Sequence, residues 1–264
     1  MIMMTQRKIS VCIATYNGQK FIAEQIDSIL NQLSEIDEVI LVDDCSSDNT
    51  VDIIERYNDQ RIKLIRNEQN FGHVYSFSKA ISLSSNDIII LSDQDDIWRE
   101  GRVSKMIETL CLSGKSVLSS NSYFIDENGS PATYFSDPVR FEDSENHMKN
   151  ILGIFLGSKC YFGCAMAFKR DVVKIILPIP KYVESHDLWI AFAGNMIRSN
   201  IHLDNETLFR RIHGGNASIL NRSMFNKIKS RLIFIRSLIT LSSRIFREKI
   251  NCLILTPEII SKIK

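Results

Sequence analysis

Three carboxylates stand within four residues at Asp93, Asp95 and Asp96, interrupted only by Gln94. Oxygen donors this close together suit Mg2+ or Mn2+, hard cations that neutralise phosphate or diphosphate charge. A second acidic pair, Asp43-Asp44, lies earlier in the chain, and Thr15-Tyr16-Asn17 forms a third polar cluster. Each cluster alone also reads as an ordinary solvated turn. Asp93 to Asp96 could cap a helix starting at Ile97-Trp98, and Asp43 or Asp48 could cap the helix that follows it. What argues for chemistry is that all three clusters come directly after apolar runs.

Those runs define the elements that must position the clusters. Residues 8–14 are short, apolar and β-rich, and residues 21–30 then carry apolar side chains at helical spacing. The unit recurs, with a strand over 38–42 and a helix over 50–57, a strand over 62–65 and a helix over 74–83, and a strand over 87–91 that ends on the acidic cluster. Short apolar strands alternating with helices predict an α/β fold with a parallel sheet covered on both faces. Ligands of such sheets bind at the carboxyl ends of the strands, so the three clusters should share one crevice. The second half is less regular. A strand over 116–120 leads to a hairpin turn at Asp126-Glu127-Asn128-Gly129 and a polar stretch to about residue 146; a strand over 161–168 and a helix over 187–196 follow.

With 264 residues, 44% of them hydrophobic, the chain can bury one large core. A net charge of +1 gives no overall pull toward nucleic acid, but ten basic and two acidic residues fall after residue 220, leaving about −7 on the rest. The six cysteines are scattered, several in apolar runs, and read as reduced thiols; Cys160 and Cys164 lack the second pair a zinc site needs. No signal peptide or membrane span is apparent, so membrane contact should be peripheral.

Ile13-Ala14-Thr15-Tyr16-Asn17-Gly18, Val42-Asp43-Asp44-Cys45-Ser46-Ser47-Asp48-Asn49-Thr50 and Leu91-Ser92-Asp93-Gln94-Asp95-Asp96-Ile97-Trp98 resemble, in order and spacing, three successive signatures of family 2 glycosyltransferases. The resemblance covers roughly residues 8–215. It implies a GT-A fold, a Rossmann-like, mostly parallel sheet flanked by helices, occupying residues 1–220. A nucleotide-binding half would span about 8–110 and an acceptor-binding half 111–220, with a basic amphipathic helical tail over 221–264. It further implies an inverting single displacement with Mn2+ or Mg2+ and a nucleotide-sugar donor.

By the same resemblance, Thr15, Tyr16 and Asn17 belong to the nucleotide site, with Tyr16 stacking near the base, Asp44 bonding its polar edge and Asp93 beside the ribose. Asp95 corresponds to the main metal ligand, while Asp96 supports the loop. Asp187, in Glu184-Ser185-His186-Asp187, matches the general base that deprotonates the acceptor hydroxyl, although His186 replaces the usual neighbouring acid. His186 then either orients Asp187 or merely packs, and Asp187 could itself be a helix cap. Gly163-Cys164-Ala165-Met166 resembles the small-residue strand beneath the sugar. Arg210-Arg211-Ile212-His213 resembles the closing loop, in which His213 completes the metal shell and Arg211 or Arg210 meets the diphosphate. Lys79 receives no role.

The pattern is similar to enzymes of O-antigen and capsule assembly that use UDP-hexoses or dTDP-rhamnose. It implies addition of one sugar to a lipid-linked, undecaprenyl diphosphate oligosaccharide, in the cytoplasm at the inner face of the membrane. The basic tail would either bind anionic headgroups or pack on the domain. Two competing classes are a nucleotidyltransferase, which needs a Gly-rich, basic loop after the first strand, and an inactive nucleotide-sugar-binding module.

Overall fold

A computed structural model describes residues 7–214 and 224–254. In chain order the regular elements are β1 (Ile9–Thr15), α1 (Ile22–Leu30), β2 (Glu38–Asp43), α2 (Thr50–Glu55), β3 (Ile62–Arg66), α3 (His73–Leu83), β4 (Ile88–Ser92) and β5 (Ile97–Trp98). There follow α4 (Arg102–Ser113), β6 (Val117–Ile125), α5 (His147–Leu156), β7 (Met166–Lys169), α6 (Val173–Ile176), α7 (His186–Met196), β8 (Asn200–Arg211) and α8 (Met224–Ile254).

The strands form one sheet in the order β3-β2-β1-β4-β7-β6-β8-β5. β1 to β4 pair in parallel, whereas β7 runs antiparallel to both β4 and β6. Alternate residues of the central strands feed two cores. Cys12, Ile40, Val42, Ile89 and Leu91 face α3, α7 and α8. Val11, Ile13, Val39, Leu41 and Ile90 face α1, α2 and α4. Burial on both faces is why these strands read as unbroken apolar runs rather than alternating ones.

Register places the strand ends. Thr15 pairs with Asp43 across β1 and β2, and Ile13 pairs with Ser92 across β1 and β4. All three polar clusters therefore open on one edge.

The irregular half departs from the sequence expectation in specific ways. The strand expected over 161–168 is reduced to β7, because Gly163–Ala165 closes a 3-10 turn. Ile97-Trp98 pairs with β8 instead of opening a helix, and α4 starts only after Gly101 (φ 76°). β6 continues past residue 120 to Ile125 through two register shifts against β8, and the turn at Asp126 closes with Gly129 at φ 84°. The sheet runs unbroken from the half spanning 8–110 into the half spanning 111–220. In the region assigned to the tail, α8 packs Phe234 on Phe192 (4.5 Å between ring centres) and buries Leu241 fully. Residues 215–223 and 255–264 of the closing loop and tail lie outside the described residues.

Candidate active site

The loop after β1 is held by its own polar groups. Thr15 is buried, and its hydroxyl donates to Gln94 Oε1 at 2.7 Å. Asn17, at φ 48°, donates its backbone N–H to Ser46 Oγ (2.9 Å) and accepts from Ser47 N–H through Oδ1 (2.9 Å). The Thr15 and Asn17 side chains thus fix the shape of the loop expected to meet the nucleotide. Tyr16 is different, with its side chain 45% exposed and open to a stacking partner.

At the end of β2 the two acids separate. Asp43 is fully buried and accepts from Ser46 N–H at 3.0 Å and Ser46 Oγ at 2.5 Å. Asp44 accepts from Asn67 Nδ2 (2.8 Å), Phe71 N–H (3.0 Å) and Gly72 N–H (2.7 Å). It thereby braces the loop before α3. A carboxylate offers about four acceptor positions, so about one remains for a base edge. Asp48 binds Thr50 N–H at 3.0 Å and serves the start of α2. Lys79 donates to Asn67 Oδ1 at 2.8 Å, joining the same brace.

Gln94 links this region to the acidic loop. Its Oε1 accepts from Thr15 Oγ1 and from Tyr16 N–H (2.8 Å), and its Nε2 donates to Tyr16 C=O (3.1 Å). In the sequence Gln94 only interrupts the carboxylates, and no role of its own is expected for it. An amide in a run of acids at a strand end was the available signal.

Asp95 meets His213 across 118 residues of chain, with Nε2 and Oδ2 at 2.8 Å. His213 is steadied by Phe21, 5.2 Å away between ring centres. Burial first, then repulsion by Asp95 and Asp187, pushes Asp93 up to about 6 despite the opposing pull of Arg210. Asp96 is almost wholly buried and raised well above the carboxylate range by burial, Asp95 and Asp93; its Oδ1 accepts Arg211 N–H at 3.0 Å. Support of the loop is therefore its visible role.

The two arginines divide sharply. Arg211 is buried and donates through Nε to Asp95 C=O (2.9 Å) and through Nη1 to Glu127 C=O (3.2 Å). Its Nη2 pairs with Glu24 at 2.7 Å. The guanidinium thus holds the acidic loop against α1. Arg210 lies over the Phe162 ring at 3.9 Å. Burial works against its charge, but the carboxyls of Asp93 and Asp96 beside it hold it above the ordinary value.

Asp187 occupies the first turn of α7 but is not its cap, because Ser185 fills that position and accepts from Leu188 N–H at 3.4 Å. Asp187 Oδ1 accepts the same N–H at 2.7 Å and a hydrogen bond from Ser185 Oγ. The carboxylate is thus fixed and still partly exposed, at a helix N-terminus that favours negative charge. His186 turns inward and stacks on Phe77 with 4.0 Å between ring centres. Burial lowers it to about 4, so the ring is neutral at physiological pH. Gly163 makes this possible: a Cβ there would stand 2.5 Å from His186 Nε2.

Two groups of donors could hold a cation. Asp93, Asp96 and Cys164 bring ligand atoms within 4.8 Å of one another. Burial raises the Cys164 thiol well above its ordinary value, however, and a protonated thiol is a poor partner for a hard ion. Asp95 and His213 fit better, because a carboxylate oxygen and an imidazole nitrogen already face each other and Mn2+ would replace the proton they share.

Beneath the site, Arg102 is buried, stacks 4.8 Å from Trp98 and donates to Cys164 C=O and Thr207 Oγ1, both at 2.5 Å. Nothing in the sequence pattern marked it.

The crowding of acids carries a stability consequence. Asp93 is raised in the folded chain relative to roughly 3.9 when unfolded, so its ionisation disfavours folding increasingly from about pH 4 to about pH 6. Asp93→Asn is expected to raise the melting temperature at pH 8 in metal-free buffer by about 3 °C and to change little at pH 4. Differential scanning calorimetry at both pH values checks this, and an unchanged or lower value at pH 8 contradicts the electrostatic account.

Comparison with known proteins places these features in a family. The model of glycosyl transferase family 2 matches residues 10–177. The glucosyltransferase WfaP of Escherichia coli is 27% identical over 217 residues, covering 80% of this chain and 79% of WfaP. A Bacillus subtilis glycosyltransferase named for teichuronic acid biosynthesis, TuaG, is 27% identical over 146 residues, and the match spans 58% of its length. Among solved structures, Staphylococcus aureus TarS with UDP-GlcNAc aligns with a TM-score of 0.66 at 18% identity, covering 88% of this chain and 66% of that one. A Pyrobaculum calidifontis mannosyltransferase with GDP-Man and Mn2+ aligns at 0.60 and 15% identity, covering 98% and 83%. These likenesses show the GT-A fold. Since the matched segment takes in β1, β2, β4 and the loops that meet at their ends, the chain belongs to glycosyltransferase family 2.

Proposed function

We propose that the chain adds a single sugar from a nucleotide-sugar donor to a lipid-linked oligosaccharide, with inversion, using Mn2+ or Mg2+ at Asp95 and His213. The observation that carries this reading is the approach of His213 to Asp95 beside Asp93 and the partly exposed Asp187. Asp187 would take the proton of the acceptor hydroxyl as its oxygen bonds the anomeric carbon and the bond to the nucleoside diphosphate breaks. A divalent cation held there would neutralise the departing diphosphate. Tyr16 would lie against the base, with Asp44 at its polar edge and Asp93 at the ribose.

For the donor, WfaP supports a UDP-hexose: its name gives it UDP-Glc and an α-D-GlcNAc-diphosphoundecaprenol acceptor. A Shigella flexneri relative named a dTDP-rhamnosyl transferase, 34% identical over 116 residues, supports dTDP-rhamnose. The work of such an enzyme would be O-antigen or capsule assembly on the cytoplasmic side of the membrane. A nucleotidyltransferase is disfavoured because Thr15-Tyr16-Asn17-Gly18-Gln19-Lys20 after β1 is a poor version of the Gly-rich, basic loop that holds a triphosphate, and Gly18 N–H already donates to Thr50 Oγ1 (2.7 Å) while Lys20 pairs with Glu127 (2.9 Å). The test is turnover of a panel of UDP- and dTDP-sugars with Mn2+ and a diphosphoundecaprenol-linked acceptor. Transfer that stops on EDTA treatment is expected; turnover of nucleoside triphosphate with sugar phosphate would overturn the reading.

A further inference from the structure

α8 has two apolar faces. Phe234, Leu241 and Ile245 dock it on the core formed by α7 and the sheet, and Arg244 donates to the Ile175 and Ile176 carbonyls at 3.0 and 3.1 Å. On the opposite side Ile228, Leu232, Ile235, Ile239, Phe246 and Ile250 fall within about 40° of one line on an ideal helix and run for roughly 33 Å. Each of the six is between 37% and 66% exposed. A helix docked by one stripe does not need a second.

The neighbouring helix also carries exposed apolar side chains. Met148, Leu152 and Leu156 of α5, at successive turns, are 54–73% exposed. α5 and α8 are joined by Phe155 against Phe234 (5.1 Å between ring centres) and by Arg231 Nη2 donating to Leu156 C=O at 2.9 Å.

Charge identifies the occupant. The same helical geometry puts Arg236 and Arg247 along one border of the outer stripe, together with Lys229, which pairs with Glu184 at 2.6 Å, and Arg231 and Lys249 along the other. Glu248, the acid in α8, falls on the docked side. A second copy of the chain would bring rows of like charge together, whereas an anionic bilayer takes in the apolar stripe and pairs both rows with headgroups. We infer that α8, with the outer face of α5, lies in the headgroup region of an anionic membrane while its inner face holds it to the catalytic domain. This deepens the lipid-linked acceptor reading, yet it is testable without donor or acceptor.

Removing α8 would uncover Phe192 and Trp189, so surface substitutions are the informative variants. In vesicle flotation, the full chain should bind phosphatidylglycerol vesicles at least tenfold better than phosphatidylcholine vesicles, with binding weakened by salt. The variant I235E/I239E/F246E should lose at least tenfold of that binding while keeping its circular dichroism and melting temperature, because these side chains stand outside the core. R247Q/K249Q should bind more weakly and with a shallower salt dependence. Failure of the full chain to bind anionic vesicles, or undiminished binding by the triple variant, overturns the inference. So does a wild-type dimer in sedimentation that the triple variant converts to monomer without altering vesicle binding. None of these outcomes bears on turnover with a soluble acceptor analogue, so the transferase reading stands or falls separately.

Discussion

Asp187→Asn is expected to lower kcat by about 10²- to 10⁴-fold, the range a positioned general base supplies, and to leave donor affinity within about twofold. Asparagine retains the size of the side chain and can still accept Leu188 N–H, which Asp187 binds at 2.7 Å, so α7 keeps its first turn. What it removes is the capacity to take a proton. Donor affinity measured by calorimetry, beside kcat from turnover, separates the two effects. A parallel loss of affinity and kcat would assign Asp187 to binding. Asp187→Glu is the complementary variant: it restores the base on a longer arm and is expected to recover part of the rate.

Asp95→Ala and His213→Ala are each expected to weaken Mn2+-supported donor binding by about 100-fold, since a Lewis acid contributes several kcal/mol to such sites. The double variant is expected to be no worse than either single one. Groups that act as a unit show strong coupling in a double-mutant cycle, and these two stand 2.8 Å apart. Mn2+ affinity read by electron paramagnetic resonance gives a measure independent of turnover. Additive losses, or Mn2+ binding unchanged in Asp95→Ala, would move the metal away from this pair and toward Asp93 and Asp96.

The parts of the fold that were legible in sequence share one physical cause. β1, β2 and β4 are buried on both faces, so each reads as a short apolar run, and the residue after each run marks the sheet edge. That sufficed to bring Tyr16, Asp44 and the acidic loop to one edge of the sheet. What was not legible involves partners far along the chain. The pairing of Arg211 with Glu24, 187 residues away, leaves no trace in its neighbours. The strand at residues 161–168 is apolar enough to be extended, yet Gly163 must turn to admit the His186 ring, and Arg102 anchors the Cys164 carbonyl. β5 is two residues long and exists through pairing with β8, which no local pattern could signal. The choice between an orienting and a packing role for His186 likewise depended on Phe77 of α3.

Gln94 occupies the place of a fourth acid in shape but not in charge, with one end accepting from Thr15 and Tyr16 and the other donating to the Tyr16 carbonyl. Glutamate differs from it by one atom, and their codons differ by one base. Yet that substitution would turn the donated bond into a repulsion and crowd a fourth negative charge among Asp93, Asp95 and Asp96. The loop that would clamp the base and the loop that would hold the cation are thus coupled through a neutral amide a single mutational step from its charged analogue, and purifying selection on this family member should fall as heavily on Gln94 as on the carboxylates around it.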